Sequence, residues 1–375
     1  MSEIMFYSVS MAKIVIDARE SGTSTGRYVD KLVEYLHKLK PEFEIIILAK
    51  SPRLEFFKKI APDFKAVKSD FKDFTFAEQL GLMRQIKSLQ PDLVHFTMTQ
   101  QPVLYRGRKI TTIHDLTTLR FDNPSKNPVV FKLKQQVYGR VIKNVAKNSA
   151  VIITPSKFVA RDVARFANIR PGKIAVTSEA ADRITVPAQQ VPRLGGKRFI
   201  MYVGRATPHK NLRRLIGAFE ILRKSNPDLM LVLAGKFDAN YHRLEALVSR
   251  KRMADAVVFP GFVSDGELRW LYDNTEAYVF PSLSEGFGLP GLEAMVQAAP
   301  VVSSNASCLP EVYGDGAHYF DPKITYDIAQ KISNVINDRS LRNILTKKGR
   351  IQAAKYSWQT MAKQTLAIYR QVISK

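Results

Sequence analysis

A single cysteine, Cys308, stands in 375 residues. That excludes an intramolecular disulfide or a cysteine zinc cluster and fits a reducing cytoplasm. Apolar runs are short: residues 45–49 and 150–153 are strand-sized, well below the ~20 residues of a membrane-spanning helix. The first ten residues have no basic segment followed by a long apolar one, so no secretory signal is expected. MAKIVIDAR from Met11 reads as a natural start, preceded by an extension of little structural weight. The glycines after Asp17 do not form a Gly-x-Gly-x-x-Gly fingerprint, which argues against a dinucleotide site there, and no Walker pattern ending in Gly-Lys-Ser/Thr appears. Asp-x-Asp is missing too, and with it a carboxylate pair able to hold a divalent ion on a diphosphate. Acidic residues are scarce overall, 34 against 57 Lys and Arg, for a net charge of +23. Residues 101–200 hold 19 basic and 5 acidic side chains, a surplus of 14. Such a field favours an anionic partner: nucleic acid, a phospholipid surface or a phosphorylated substrate. No helix-turn-helix, zinc or RNP pattern supports the first of these.

What is present is a regular alternation. Short β-branched runs at 13–17, 44–48, 93–96, 109–113, 150–154 and 173–177 are separated by helical periodicity, clearest at 26–39, 76–89 and 129–147. Ser156, after Pro155, sits where a helix N-cap belongs. Residues 184–197, ITVPAQQVPRLGGK, break the pattern and read as a linker. Alternation restarts with strands at 199–203, 230–234, 257–259, 277–280 and 300–303, helices at 211–224 and 241–250, and a mostly helical tail from 340. The reading is α/β: two tandem Rossmann-like doubly wound domains, 1–183 and 198–375, with a cleft between them. The last helices are expected to cross back to the first domain.

Open parallel sheets bind ligands beyond the carboxyl ends of their strands, and four strand-to-helix loops qualify. ESGTSTGRY, after Asp17, places Gly22 and Gly26 before a helix whose positive end faces the loop; a plain glycine turn reads equally well. IHDL, 113–116, offers His114 and Asp115 to orient a sugar or handle a proton, or else a capping aspartate beside a surface histidine. GRATPHKN, 204–211, brings Arg205 and Lys210 to a helix start, a composition suited to a diphosphate. In PSLSEGFGLPGLEAM, 281–295, Glu285 and Glu293 flank a glycine-rich hinge. There Gly286 and Gly288 free the backbone and Pro290 suits a first helical turn.

These last two segments carry a resemblance. EGFGLPGLE resembles the paired-glutamate motif of glycosyltransferase family 4, and YVGRATPHKNL resembles that family's phosphate-binding strand and loop. SNASCLPEVYGDGA is similar to the segment that follows the glutamates there, while IHDL and TSEAAD resemble its amino-terminal half. The match runs in order from Met11 to the terminal helices. It implies a GT-B fold and a retaining hexosyltransferase that takes a nucleotide diphosphate sugar and needs no metal or other cofactor. By motif position, Arg205 and Lys210 hold the donor diphosphate, Glu285 contacts the transferred sugar and Glu293 the ribose. The amides of Gly288 and Leu289 touch phosphate, with Phe287 and Val263 also on the donor. His114 lies beside the sugar from the opposite domain, and Gly26 leaves room for the β-phosphate. Ser24-Thr25 replaces the Gly-Ile common in the family, a departure on the acceptor side.

The resemblance implies a GDP- or UDP-hexose donor, with a lean to mannosyl, and a glycan or lipid-linked acceptor; nucleic acid is not an expected partner. Epimerases and phosphorylases of the same fold are the rival readings. Localisation is expected to be cytoplasmic, with peripheral attachment to the inner face of an anionic membrane suggested by VVFKLKQQVYGRVIKNVAK. Leu133, Val137 and Val141 of that segment fall on one helical face among lysines and arginines. The alternative is that this stripe packs on the sheet and the cations are solvated.

Overall fold

The computed structural model describes residues 11–23, 25–72, 75–122 and 127–375; the first ten residues and Ser24 lie outside them. Its strands are β1 (Lys13–Asp17), β2 (Glu44–Ala49), β3 (Lys65–Lys68), β4 (Leu93–Phe96), β5 (Lys109–Thr112), β6 (Val151–Thr154) and β7 (Ile174–Val176), then β8 (Phe199–Val203), β9 (Met230–Ala234), β10 (Val257–Gly261), β11 (Ala277–Phe280), β12 (Val301–Ser304) and β13 (Ala317–Phe320). They form two sheets ordered β3-β2-β1-β4-β5-β6-β7 and β10-β9-β8-β11-β12-β13. Pairing is parallel throughout, as between β1 and β2, where Ile14 faces Ile45, and between β8 and β9. Parallel strands covered by helices on both faces must be apolar on both, which is why KIVID and FIMYV read as continuous rather than alternating runs. Ile14, Val15 and Ile16 are fully buried, as are Phe199 to Tyr202. At about 1.5–3 kcal/mol for each such side chain, the central strands carry much of each core.

Winding reverses beside β1 and beside β8, between β1 and β4 and between β8 and β11. These are the two switch points at which open sheets leave a crevice. The loops after β8 and β11 flank the second one, so the two most distinctive sequence segments are neighbours in space.

Some elements had no sequence signal. Edge strand β3 is KAVK, half exposed, and lacks the apolar run that marks inner strands. The helix Leu54–Ile60 buries only Phe57 fully. Residues 76–88 are helical, as their periodicity predicts, but Glu78–Leu82 is wound as a π segment. Glu78 there is buried against Arg19, at 3.0 Å, a placement in keeping with π-bulges marking special positions.

The final helix, Trp358–Ile373, packs on Arg27–Lys38. Met361, Ala362, Leu366 and Tyr369 join the core of the first domain. Arg370 pairs with Glu42 at its outer side. No helix among the described residues is long and apolar enough to cross a membrane.

Candidate functional site

A cleft of about 630 Å³ lies between the carboxyl edges of the two sheets. The loop after β8 supplies its second-domain wall. Asn211, in a left-handed conformation (φ 61°), donates through its side chain to the carbonyls of Pro281 and Pro322 at 3.1 and 2.7 Å. This ties the loop after β8 to the loop after β11. Lys210 and Arg205 both line the cleft. Lys210 Nζ donates to Glu285 Oε1 at 2.6 Å, whereas the exposed Arg205 guanidinium has no carboxylate partner among the described residues.

Gly288 opens the helix Leu289–Val296 with φ 88° and Pro290 in its first turn. A Cβ at Gly288 would sit 2.6 Å from the Tyr313 hydroxyl, and that hydroxyl donates to the Gly288 carbonyl. Glycine is required there on both counts. The helix start faces the cleft, since Gly288, Leu289 and Pro290 line it, and it offers amide dipoles to an anion. The Glu285 backbone is held by Ser307, which accepts its amide at 3.1 Å, and by the buried Cys308 thiol, which donates to its carbonyl at 3.3 Å. The one cysteine is thus a buttress, with its thiol pushed well up by burial.

The first domain brings His114, Glu179, Arg27 and Tyr28 to the same cleft. His114 is not a surface residue: its ring packs edge-on against Tyr28 at 4.9 Å. Nδ1 lies 3.1 Å from Glu179 Oε1 and Nε2 lies 3.1 Å from the Thr97 carbonyl. Burial works against the charged ring, but the Glu179 hydrogen bond and charge overcome it, and its pKa is raised. Asp115 accepts the Thr117 amide at 2.7 Å, a local turn bond.

Among the described residues, polar contacts join the domains around the cleft. Ser156, which N-caps the helix Lys157–Ala167, donates to the Gly286 carbonyl at 2.8 Å. Thr117 and Ser284 hydroxyls meet at 3.0 Å, and Arg27 pairs with Glu293. Glu311 accepts the amides of Lys157 and Phe158 at 2.7 and 2.8 Å, closing a helix N-terminus of the first domain with a carboxylate of the second. The fit is close: a Cβ on Gly286 would lie 2.0 Å from the His114 carbonyl.

Of the residues singled out from sequence, Arg205, Lys210, His114, Glu285, Phe287, Gly288, Leu289 and Glu293 converge on the cleft. Two do not line it. Val263 packs into the second core at 9% exposure. The space left by Gly26 is filled by its own loop, because a Cβ there would lie 1.9 Å from the Glu20 carbonyl. Arg27 and Glu179 were missed as site residues. Arg27 is the middle of the GRY triplet, and Glu179 lies in TSEAAD, but neither segment shows which partner its side chain will meet.

Two Rossmann-type domains that meet carboxyl edge to carboxyl edge over a cleft lined with cations and a helix start define the GT-B class of glycosyltransferases. Residues 25–184 match the model of Glycosyltransferase Family 4 and residues 187–352 that of Glycosyl transferases group 1. The O-antigen chain mannosyltransferase B of Escherichia coli is 31% identical over 272 residues, 70% of each chain. The chain belongs to glycosyltransferase family 4. Among solved structures, sucrose-phosphate synthase from Thermosynechococcus elongatus superposes with a TM-score of 0.79 at 17% identity, covering 97% of this chain and 99% of that one. Anabaena HepE in complex with UDP and glucose gives 0.76 at 16%, covering 96% and 100%. At such identities these two share the fold. The chain is accordingly a hexosyltransferase that takes a nucleotide-sugar donor and a glycan acceptor; these matches do not favour the epimerase alternative.

Proposed function

We propose that this glycosyltransferase moves mannose or a related hexose from its nucleotide diphosphate to a glycan hydroxyl, with retention of anomeric configuration and without a metal ion. The observation that carries the reading is the convergence of Arg205, Lys210 and the Gly288 helix start on one cleft wall. In retaining transfer the anomeric carbon–phosphate oxygen bond breaks first, and the acceptor oxygen bonds on the same face. The acceptor proton passes to the departing phosphate oxygen. Charge develops on the diphosphate, so fixed cations and amides aimed at it lower the barrier directly. Glu285, 2.6 Å from Lys210, orients that ammonium and keeps lone pairs for sugar hydroxyls. Glu293 suits a ribose in the same way. The mannosyl preference is supported by the Escherichia coli relative, and GDP is then the expected nucleotide.

A membrane-facing role for the first domain has its own support. On the helix Pro128–Asn148 the fully buried side chains, Ile142, Val145 and Ala146, lie in the carboxyl-terminal half. Val129 is 77% exposed, Leu133 61% and Val137 51%, among Lys132, Lys134 and Arg140. The packing alternative for Leu133 and Val137 does not hold. An exposed apolar row set among cations suits shallow insertion at an anionic surface.

The test is a thermal-shift screen of GDP, UDP, ADP and their sugars, since a ligand that binds the folded state raises the midpoint by mass action. GDP-mannose should give the largest shift, and transfer should survive EDTA with a retained anomer by NMR. An inverted product, or a strict Mg²⁺ or Mn²⁺ requirement, would refute the reading.

A further inference from the structure

Both ring nitrogens of His114 face acceptors. The Thr97 carbonyl can only accept, so Nε2 carries a hydrogen. One proton then remains between Nδ1 and Glu179 Oε1, 3.1 Å apart. Imidazole is ordinarily the stronger base, and the Glu179 hydrogen bond and charge raise the ring's pKa against its burial, so the proton resides on the ring and the pair is imidazolium–carboxylate. The seat is rigid. Glu179 is 6% exposed, the Tyr28 ring stands edge-on against His114, and Gly286 of the other domain closes on the His114 carbonyl.

The neighbouring groups favour the same state. Asp115, adjacent in the chain, adds negative charge. Below, His95 is held neutral: its ring nitrogens meet the Tyr369 hydroxyl at 2.6 Å and the Thr112 hydroxyl at 2.9 Å. Burial, then the charge of His114, pushes its pKa down to about 3. Tyr28 OH, 3.2 Å from Thr112, is buried and neutral at ordinary pH. From the second domain, Arg205, Lys210 and Glu285 line the cleft opposite.

We propose that Glu179 is a positioning residue, which holds His114 as an imidazolium of fixed orientation on the cleft wall. This rests on the donor reading of the cleft. The pair is net neutral, and the carboxylate is buried where it interacts strongly with the ring. Raising the pH through the His114 titration removes the ring proton and leaves the pair net negative.

Two measurements test this. In the wild-type chain, ¹⁵N shifts of the ring absent from the His114→Gln spectrum should show both nitrogens protonated at pH 7; a singly protonated ring overturns the proposal without any Glu179 variant. In Glu179→Gln the His114 pKa should fall by at least about one unit, a tenfold change in proton affinity. As the ring loses its proton the cleft loses one positive charge, so the pH at which GDP or UDP affinity falls should drop with that pKa in the variant. Glu179→Asp should recover part of both effects. An unchanged His114 titration in Glu179→Gln, or an affinity profile that does not move with it, would overturn it. Should neither nucleotide bind the wild type, the donor reading fails and takes the role of the ring proton with it, and the ring shifts still decide the pair.

Discussion

The two domains share one topology, yet they present their site residues in different ways. In the second, Arg205, Lys210, Glu285 and Glu293 come from two loops beside one switch point and the helix that the second loop opens, and each stretch is a contiguous, distinctive segment. In the first, Arg27, His114 and Glu179 come from three segments 65 or more residues apart, joined through the Thr97 backbone and the Tyr28 ring. A phosphate site needs successive backbone amides and nearby cations, which one loop can supply. The His114–Glu179 pair takes its partners from segments 65 residues apart, and only folding brings them together.

The largest effect expected on either side is at the second-domain cations. Arg205→Ala and Lys210→Ala should each lower turnover by about a hundredfold or more, the usual loss for one preorganised stabiliser. Steady-state kinetics with the donor found in the screen measures it, and near-normal turnover in both would erase the contrast between the domains. Next comes the seam. Gly286→Ala places a methyl 2.0 Å from the His114 carbonyl, so the domains must part there. A displacement of about 1 Å can cost as much as a hundredfold. We expect kcat/KM to fall ten- to a hundredfold; an unaffected enzyme would mean that closure at this seam does not matter.

A smaller effect belongs to the first domain alone. Leu133→Gln with Val137→Gln should weaken co-sedimentation with phosphatidylglycerol vesicles by about tenfold at low salt, from the loss of two inserting side chains, with donor binding unchanged. Equal sedimentation of variant and wild type would leave a soluble anionic acceptor as the reason for the local charge surplus. The smallest concerns stability and pH. His114 titrates above its ordinary 6.5 in the fold, so the stability it contributes is fully present below 6.5 and lost as pH rises through the raised value. The melting difference between wild type and Glu179→Gln should therefore be larger at pH 5.5 than at pH 9; a difference independent of pH would point to packing instead. Arg27 shows why surface geometry alone gives less: its pair with Glu293 is half exposed on the arginine side, where such pairs contribute about 0–1 kcal/mol.

Much of this was legible beforehand for definite reasons. β8, β9 and β11 lie where the apolar runs put them, because a strand buried on both faces has no choice of composition. Ser156 caps its helix, accepting from the Val159 amide at 3.2 Å, as its place after Pro155 indicated. Edge strand β3 was silent, because it is short and exposed at both ends, with lysines flanking two half-buried residues. The exposed row on Pro128–Asn148 was ambiguous, since the periodicity that packs a helix on a sheet is the same as that which displays it to a surface.

The sequence by itself determined the alternation of strands and helices, the two cation-bearing and glutamate-bearing loops and the family, since each of these depends on residues near one another in the chain. Tertiary structure alone decided that the Gly26 cavity is filled by Glu20, that Val263 turns into the core, and that the last helix serves the first domain. It also decided what faces His114. A histidine's protonation follows from what faces its two nitrogens, and here those are a carbonyl 17 residues upstream and a carboxylate 65 residues downstream.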